Sequence, residues 1–80
     1  MSVEENEDEI EDLVFPNPTT GVLNIAMKDF RNVELFNSMG QRVLQSHETD
    51  LDLNNLPAGV YFLKLTDNQG AVMMRSVVKK

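Results

Sequence analysis

The chain has 80 residues, 41% of them hydrophobic and 6% aromatic, with 13 acidic and 7 basic side chains, a formal net charge of -6 and no cysteine. That length supports one domain, because a second core this small would not offset its own ordering entropy. Lack of Cys removes disulfide scaffolds, thiolate zinc sites and thiol nucleophiles together, without fixing a compartment.

Residues 1–12 carry Glu4, Glu5, Glu7, Asp8, Glu9, Glu11 and Asp12 and no base, whereas residues 13–80 are nearly neutral. The first twelve residues therefore read as a solvated acidic linker and residues 13–80 as the folded domain. A calcium loop fails on detail, since it needs acids at alternate positions around a central Gly and this stretch has none. A body without a basic stripe argues against nucleic acid. No apolar run is long enough for a membrane-crossing helix, and no direct membrane insertion is expected. No positive region followed by an apolar stretch marks a secretory signal in the first residues. If the protein is exported, the chain is then a piece of something longer and Met1-Ser2 a start added to a fragment; a natural reading frame of this length would overturn that.

Turn clusters punctuate the body at Pro16–Gly21, Asn37–Gly40, Asn54–Gly59 and Asp67–Gly70. Gly supplies positive φ, Pro fixes φ, and Asn or Asp bonds its own backbone, so each cluster predicts a turn. The intervening segments are short and rich in Val, Leu, Ile and Phe. The expected strands, in chain order, are Leu13–Phe15, Val22–Met27, Asn32–Phe36, Gln41–Gln45, Thr49–Leu53, Val60–Thr66 and Ala71–Val78. Period-two alternation supports them: Leu23, Ile25 and Met27 share a face, as do Val33 and Leu35, Leu51 and Leu53, and Tyr61, Leu63 and Leu65. Seven short strands with closely spaced turns predict an all-β sandwich or barrel. Asn37–Gly40 and Asp67–Gly70 are tight enough for hairpins ending in a glycine bulge. The Asn54–Gly59 loop is long enough to cross between sheets. The last strand has two possible phases: Val72, Met74 and Val78 lie on one face, Met73 and Val77 on the other with Arg75.

A chain this short buries about 60% of its unfolded surface, which predicts a stability of order 5 kcal/mol. Cutting away Ala71–Val78 removes apolar side chains worth roughly 1.5–3 kcal/mol each when fully buried. The C-terminal strand is therefore expected to be indispensable.

The inventory of reactive groups is thin. The one histidine, His47, sits in a polar stretch between strands, and its neighbours Ser46 and Glu48 are adjacent in sequence without being the nucleophile and orienting acid that catalysis requires. Asp50 and Asp52 share a strand face opposite Leu51 and Leu53 and read as solvated. No phosphate loop, dinucleotide fingerprint or metalloprotease motif is present. No catalytic, cofactor-binding or metal residue is expected, no cofactor is implied, and the protein reads as a non-enzyme. If Tyr61 and Leu63 point inward, Val60 and Phe62 look outward, where aromatic residues mark a docking patch.

Residues 16–21 (P-N-P-T-T-G), the following V-L-N-I, V-E-L-F-N-S-M-G-Q-R-V-L at 33–44, L-D-L-N-N-L-P-A-G-V-Y-F-L-K-L at 51–65 and the closing V-V-K-K together resemble the C-terminal sorting domain, type A, of type IX (Por) secretion system cargo in the Bacteroidota. The resemblance spans Leu13 to Lys80 in the family's order and spacing. It implies an immunoglobulin-like seven-stranded antiparallel sandwich. It also implies partners: an N-terminal cargo domain of the same polypeptide, the outer-membrane type IX translocon with its shuttle proteins, and, in many cargoes, a sortase-like cysteine peptidase. That peptidase cuts upstream and joins the cargo to a lipopolysaccharide anchor. Transit through the periplasm and arrival at the cell surface or outside follow from the same resemblance. On that basis Lys79, Lys80, Val77, Val78 and Phe62 are expected to be read by the translocon. Pro16, Asn17, Pro18, Gly21, Gly40, Pro57, Gly59, Tyr61, Leu63 and Leu65 are expected to define the fold, with Pro16 and Pro18 holding their segment extended. The rival readings are an immunoglobulin-like spacer or adhesion module and a sugar-binding sandwich; the second lacks the exposed Trp or Tyr platform that sugar sites use.

Overall fold

The computed structural model describes residues 13–80, and the acidic leader lies outside them. Seven strands follow one another: β1 (Val14–Phe15), β2 (Val22–Ile25), β3 (Phe30–Phe36), β4 (Arg42–Ser46), β5 (Asp50–Asp52), β6 (Gly59–Asp67) and β7 (Val72–Lys79), with no helix among the described residues. They form two antiparallel sheets, a three-stranded one in the order β1-β2-β5 and a four-stranded one in the order β4-β3-β6-β7.

Alternation along the strands builds the core. Leu23, Ile25, Leu51 and Leu53 on one side meet Val33, Leu35, Tyr61, Leu63 and Leu65 on the other in one buried cluster. The intervening Glu34, Asp50, Asp52 and Phe62 face away, as a period of two requires. The phase of β7 is settled by its partner: Val77 pairs with Tyr61, an inward residue, and is wholly buried. Val72, Met74 and Val78 are thereby turned outward and are 49%, 55% and 41% exposed.

Two hairpins share one construction. At Asn37 the N–H donates to Gln41 O and the carbonyl accepts from Gly40 N (2.9 and 3.0 Å), while Asn37 Oδ1 accepts from the N–H groups of Met39 and Gln41. Asp67 repeats this with Ala71, Gly70 and Gln69. Gly40 and Gly70 sit at φ of 83° and 86°, left-handed values that a Cβ disfavours, so each expected glycine bulge is present. The Asn54–Gly59 loop carries the chain from β5 in one sheet to β6 in the other, as its length predicts.

Some expectations are adjusted. The second strand ends at Ile25 rather than Met27, because Asp29 at φ 56° turns the chain into β3. β3 begins earlier, at Phe30, and a register shift leaves Arg31 unpaired opposite Asp67 and Thr66. In β4, Leu44 pairs with Leu35 and Arg42 with Phe36, so Val43 is an inserted residue, and Val43 and Leu44 both pack against the core. The segment expected to run extended through Pro16 and Pro18 instead bends, with both X-Pro bonds cis, and its Asn17 side chain bonds β7.

Candidate functional site

β7 is the outer strand of the four-stranded sheet, and its full length is in register with β6 from Gly59↔Lys79 to Thr66↔Val72. Such an edge leaves every second residue with backbone groups directed away from its neighbour. Over the last turn of the ribbon those groups are taken by residues 17–19. Asn17 Nδ2 donates to Ser76 O at 3.1 Å and Val78 N–H donates to Asn17 Oδ1 at 3.1 Å. Thr19 N–H donates to Val78 O at 2.8 Å and Lys80 N–H to Thr19 O at 2.8 Å. A short parallel bridge joins Thr19 to Lys79.

Thr19 is itself buried to 1% exposure, and its Oγ1 accepts from Gly21 N–H and donates to Val22 O. The residue thus ties the start of β2 to the end of β7. Gly21 is needed beside it, since a Cβ there would run into the Asn54 side chain, and its carbonyl accepts from Leu53 N–H at 2.6 Å.

The outward face of the sheet adds an apolar surface. Phe62 and Val60 of β6 are 41% and 45% exposed, beside Val78 across the register and Phe36 of β3, which pairs with Phe62. Glu34 borders it, bonded by Arg42 at 2.8 Å with Lys64 at 3.9 Å. Phe62 therefore lies where alternation placed it. Lys80 is exposed and Lys79 half-buried. Val77 differs from the other four residues expected in contact with a receptor: its side chain is in the core, so it supports the ribbon from within.

The fold-defining residues sit as their chemistry suggests. Tyr61 is buried with its hydroxyl donating to Pro57 O at 2.6 Å, which ties the crossover loop to β6, and Leu63 and Leu65 are fully buried. Gly59 opens β6. A cleft of about 220 Å³ lies between the β3–β4 turn and this loop, lined by Met39, Val43, Leu56, Pro57 and Tyr61 among others. It is smaller than the roughly 300–1,000 Å³ of small-molecule sites. His47 is exposed, its Nδ1 3.3 Å from Arg31 O. Asp50 and Asp52 face solvent, and Asp52 Oδ1 accepts from the backbone and side chain of Asn54, so it shapes a turn.

Sequence reading missed Thr19. The available signal was a hydroxyl residue two positions before an essential glycine inside P-N-P-T-T-G, a spacing that suits an ST-turn.

Against known proteins, the family model described as "Secretion system C-terminal sorting domain" matches residues 13–80, the same span that the structure describes. A Beta-agarase D of Zobellia galactanivorans is 31% identical over 67 residues, covering 81% of this chain and 14% of the relative. The chain thus spans about one seventh of the length of that curated relative.

Proposed function

This chain belongs to the secretion system C-terminal sorting domain family, whose members direct cargo into type IX secretion, and from that premise we propose that it acts as a folded address read on β7 and the sheet face beside it. The single observation that carries the reading is the family match across residues 13–80. The proposed label comprises Lys79 and Lys80, with Val78 and Phe62 on the adjoining face and Val77 holding the ribbon in place. Residues 13–80 are the sorting domain and residues 1–12 the linker to an N-terminal cargo. The two sheets are read as an immunoglobulin-like sandwich, and the domain as non-catalytic. Its partners are the outer-membrane translocon with its shuttle proteins and a sortase-like cysteine peptidase. The route runs through the periplasm to the cell surface or outside, with removal of the domain and attachment of the cargo as its sequel.

The test is a fusion of residues 3–80 to an inert periplasmic reporter in a type IX-competent host. Surface or extracellular reporter is expected, and loss of it on deleting Lys79-Lys80 while the domain, short of the pairing of Lys79 and the bond of Lys80 to Thr19, still melts cooperatively. Reporter retained in the periplasm with the intact domain removes the reading; normal export after the deletion removes Lys79 and Lys80 from the site.

A further inference from the structure

We infer that Asn17 and Thr19 form a clasp that positions the Lys79-Lys80 tail, so that the address is presented in one geometry rather than as a frayed end. This rests on the reading of that tail as part of the recognised label.

The argument starts from the edge of the sheet. Val77 is the last wholly buried side chain of β7, and beyond it the chain has no core contact of that depth to fix its course. β6 supplies partners only as far as Gly59, opposite Lys79. Terminal residues held on one side alone fray. Here the other side is closed as well. The Asn17 side-chain amide uses one N–H donor and its carbonyl acceptor, held in one plane, which reproduces a peptide group of a neighbouring strand. It takes Ser76 O and Val78 N–H at 3.1 Å each. The Thr19 backbone continues the pairing at Val78 O and Lys80 N–H, both at 2.8 Å.

Lys80 lies past the end of β7, and its N–H is held by Thr19. The clasp is anchored in turn: the buried Thr19 hydroxyl bridges Gly21 N–H and Val22 O at the start of β2. The tail of one sheet is therefore set by the other. By contrast, the described hydrogen bonds give no such partner to the outward N–H groups of Val72, Met74 and Ser76. The clasp covers the stretch of edge that leads into the two lysines and stops there.

Asn17 is exposed, so it can be changed without opening the core. In the full 80-residue chain, Asn17→Ala is expected to speed amide exchange at Val78 by about tenfold while the Leu63 amide keeps its protection. In the reporter fusion the same variant is expected to lower export severalfold. Thr19→Val, which removes the anchor, should act in the same direction, and Thr19→Ser should restore both readouts. If Asn17→Ala lowers global stability, Asn17→Ser is read in its place, because its single hydroxyl cannot span both backbone groups. Unchanged exchange at Val78 would overturn the clasp, and so would a released tail with full export. Deletion of Lys79-Lys80 separates the two ideas. If that deletion exports normally, the tail is no label; if it blocks export and Asn17→Ala does not, the positioning role alone fails.

Discussion

The two sheets are built to different standards. β1 and β2 are matched over two residues and β2 and β5 over three, whereas β3 and β6 are matched over six and β6 and β7 over eight. Yet the small sheet contributes Val14, Leu23, Ile25 and Leu51 to the same core that the large one lines with Val33, Leu35, Leu63, Leu65 and Val77. The small sheet works by burial, as a cover whose strands are too short to stand by themselves. The large sheet supplies burial and a long hydrogen-bonded ladder together. It also has an outer face and an edge on which Phe62, Val60 and Val78 stay exposed without disturbing the interior.

The strongest way to break this contrast is to cut after Gly70. Losing β7 removes the eight-residue ladder and the buried Val77. The expected result is no cooperative melting transition and loss of the β-sheet signal in circular dichroism, because β6 loses its eight-residue ladder and the core loses Val77. The outward Val72, Met74 and Val78 are about half exposed, so the burial expected of a fully buried strand falls to that of Val77 and the ladder carries the rest.

Matched truncations on the two sides sharpen it. Leu63 of β6 and Leu23 of β2 are both fully buried. Leu63→Ala and Leu23→Ala are each expected to cost about 2–5 kcal/mol in urea unfolding. Local amide exchange should separate them, with β1, β2 and β5 opening below the free energy of global unfolding and β6 opening only with it. Equal protection in both sheets would dissolve the contrast.

The smallest effect is at the joint between them. Tyr61→Phe keeps the buried ring and removes the bond to Pro57 O, so it should lower stability by about 1 kcal/mol in the same unfolding measurement and loosen the crossover loop.

What the sequence discloses follows the range of each interaction. Strand positions and the inward residues of β2, β3, β5 and β6 are legible because alternation is local. The hairpins are legible because Asn37 and Asp67 bond their own turns and Gly40 and Gly70 take the left-handed residue. β7 is ambiguous because both of its faces carry apolar side chains; only pairing with Tyr61 shows that Val77 is the inward one. The inserted Val43 leaves no signature, since Val43 and Leu44 are equally apolar. In the candidate site, Phe62 could be placed by its parity with Tyr61 and Leu63. The clasp could not: Asn17 reads as a turn residue, and its partners Ser76 and Val78 lie 59 and 61 positions away.

That separation has a kinetic corollary. The entropy of closing a loop grows with its length, so contacts spanning nearly the whole chain are the costliest to make early. The bonds of Asn17 and Thr19 to the last ribbon are thus expected to be the final ones completed, after both layers have joined. A pulse of deuterium during refolding should show Val78 gaining protection later than Leu63. The geometry around the two lysines would then exist only on domains that had finished folding, and a ligand specific for it would distinguish closed domains from half-closed ones.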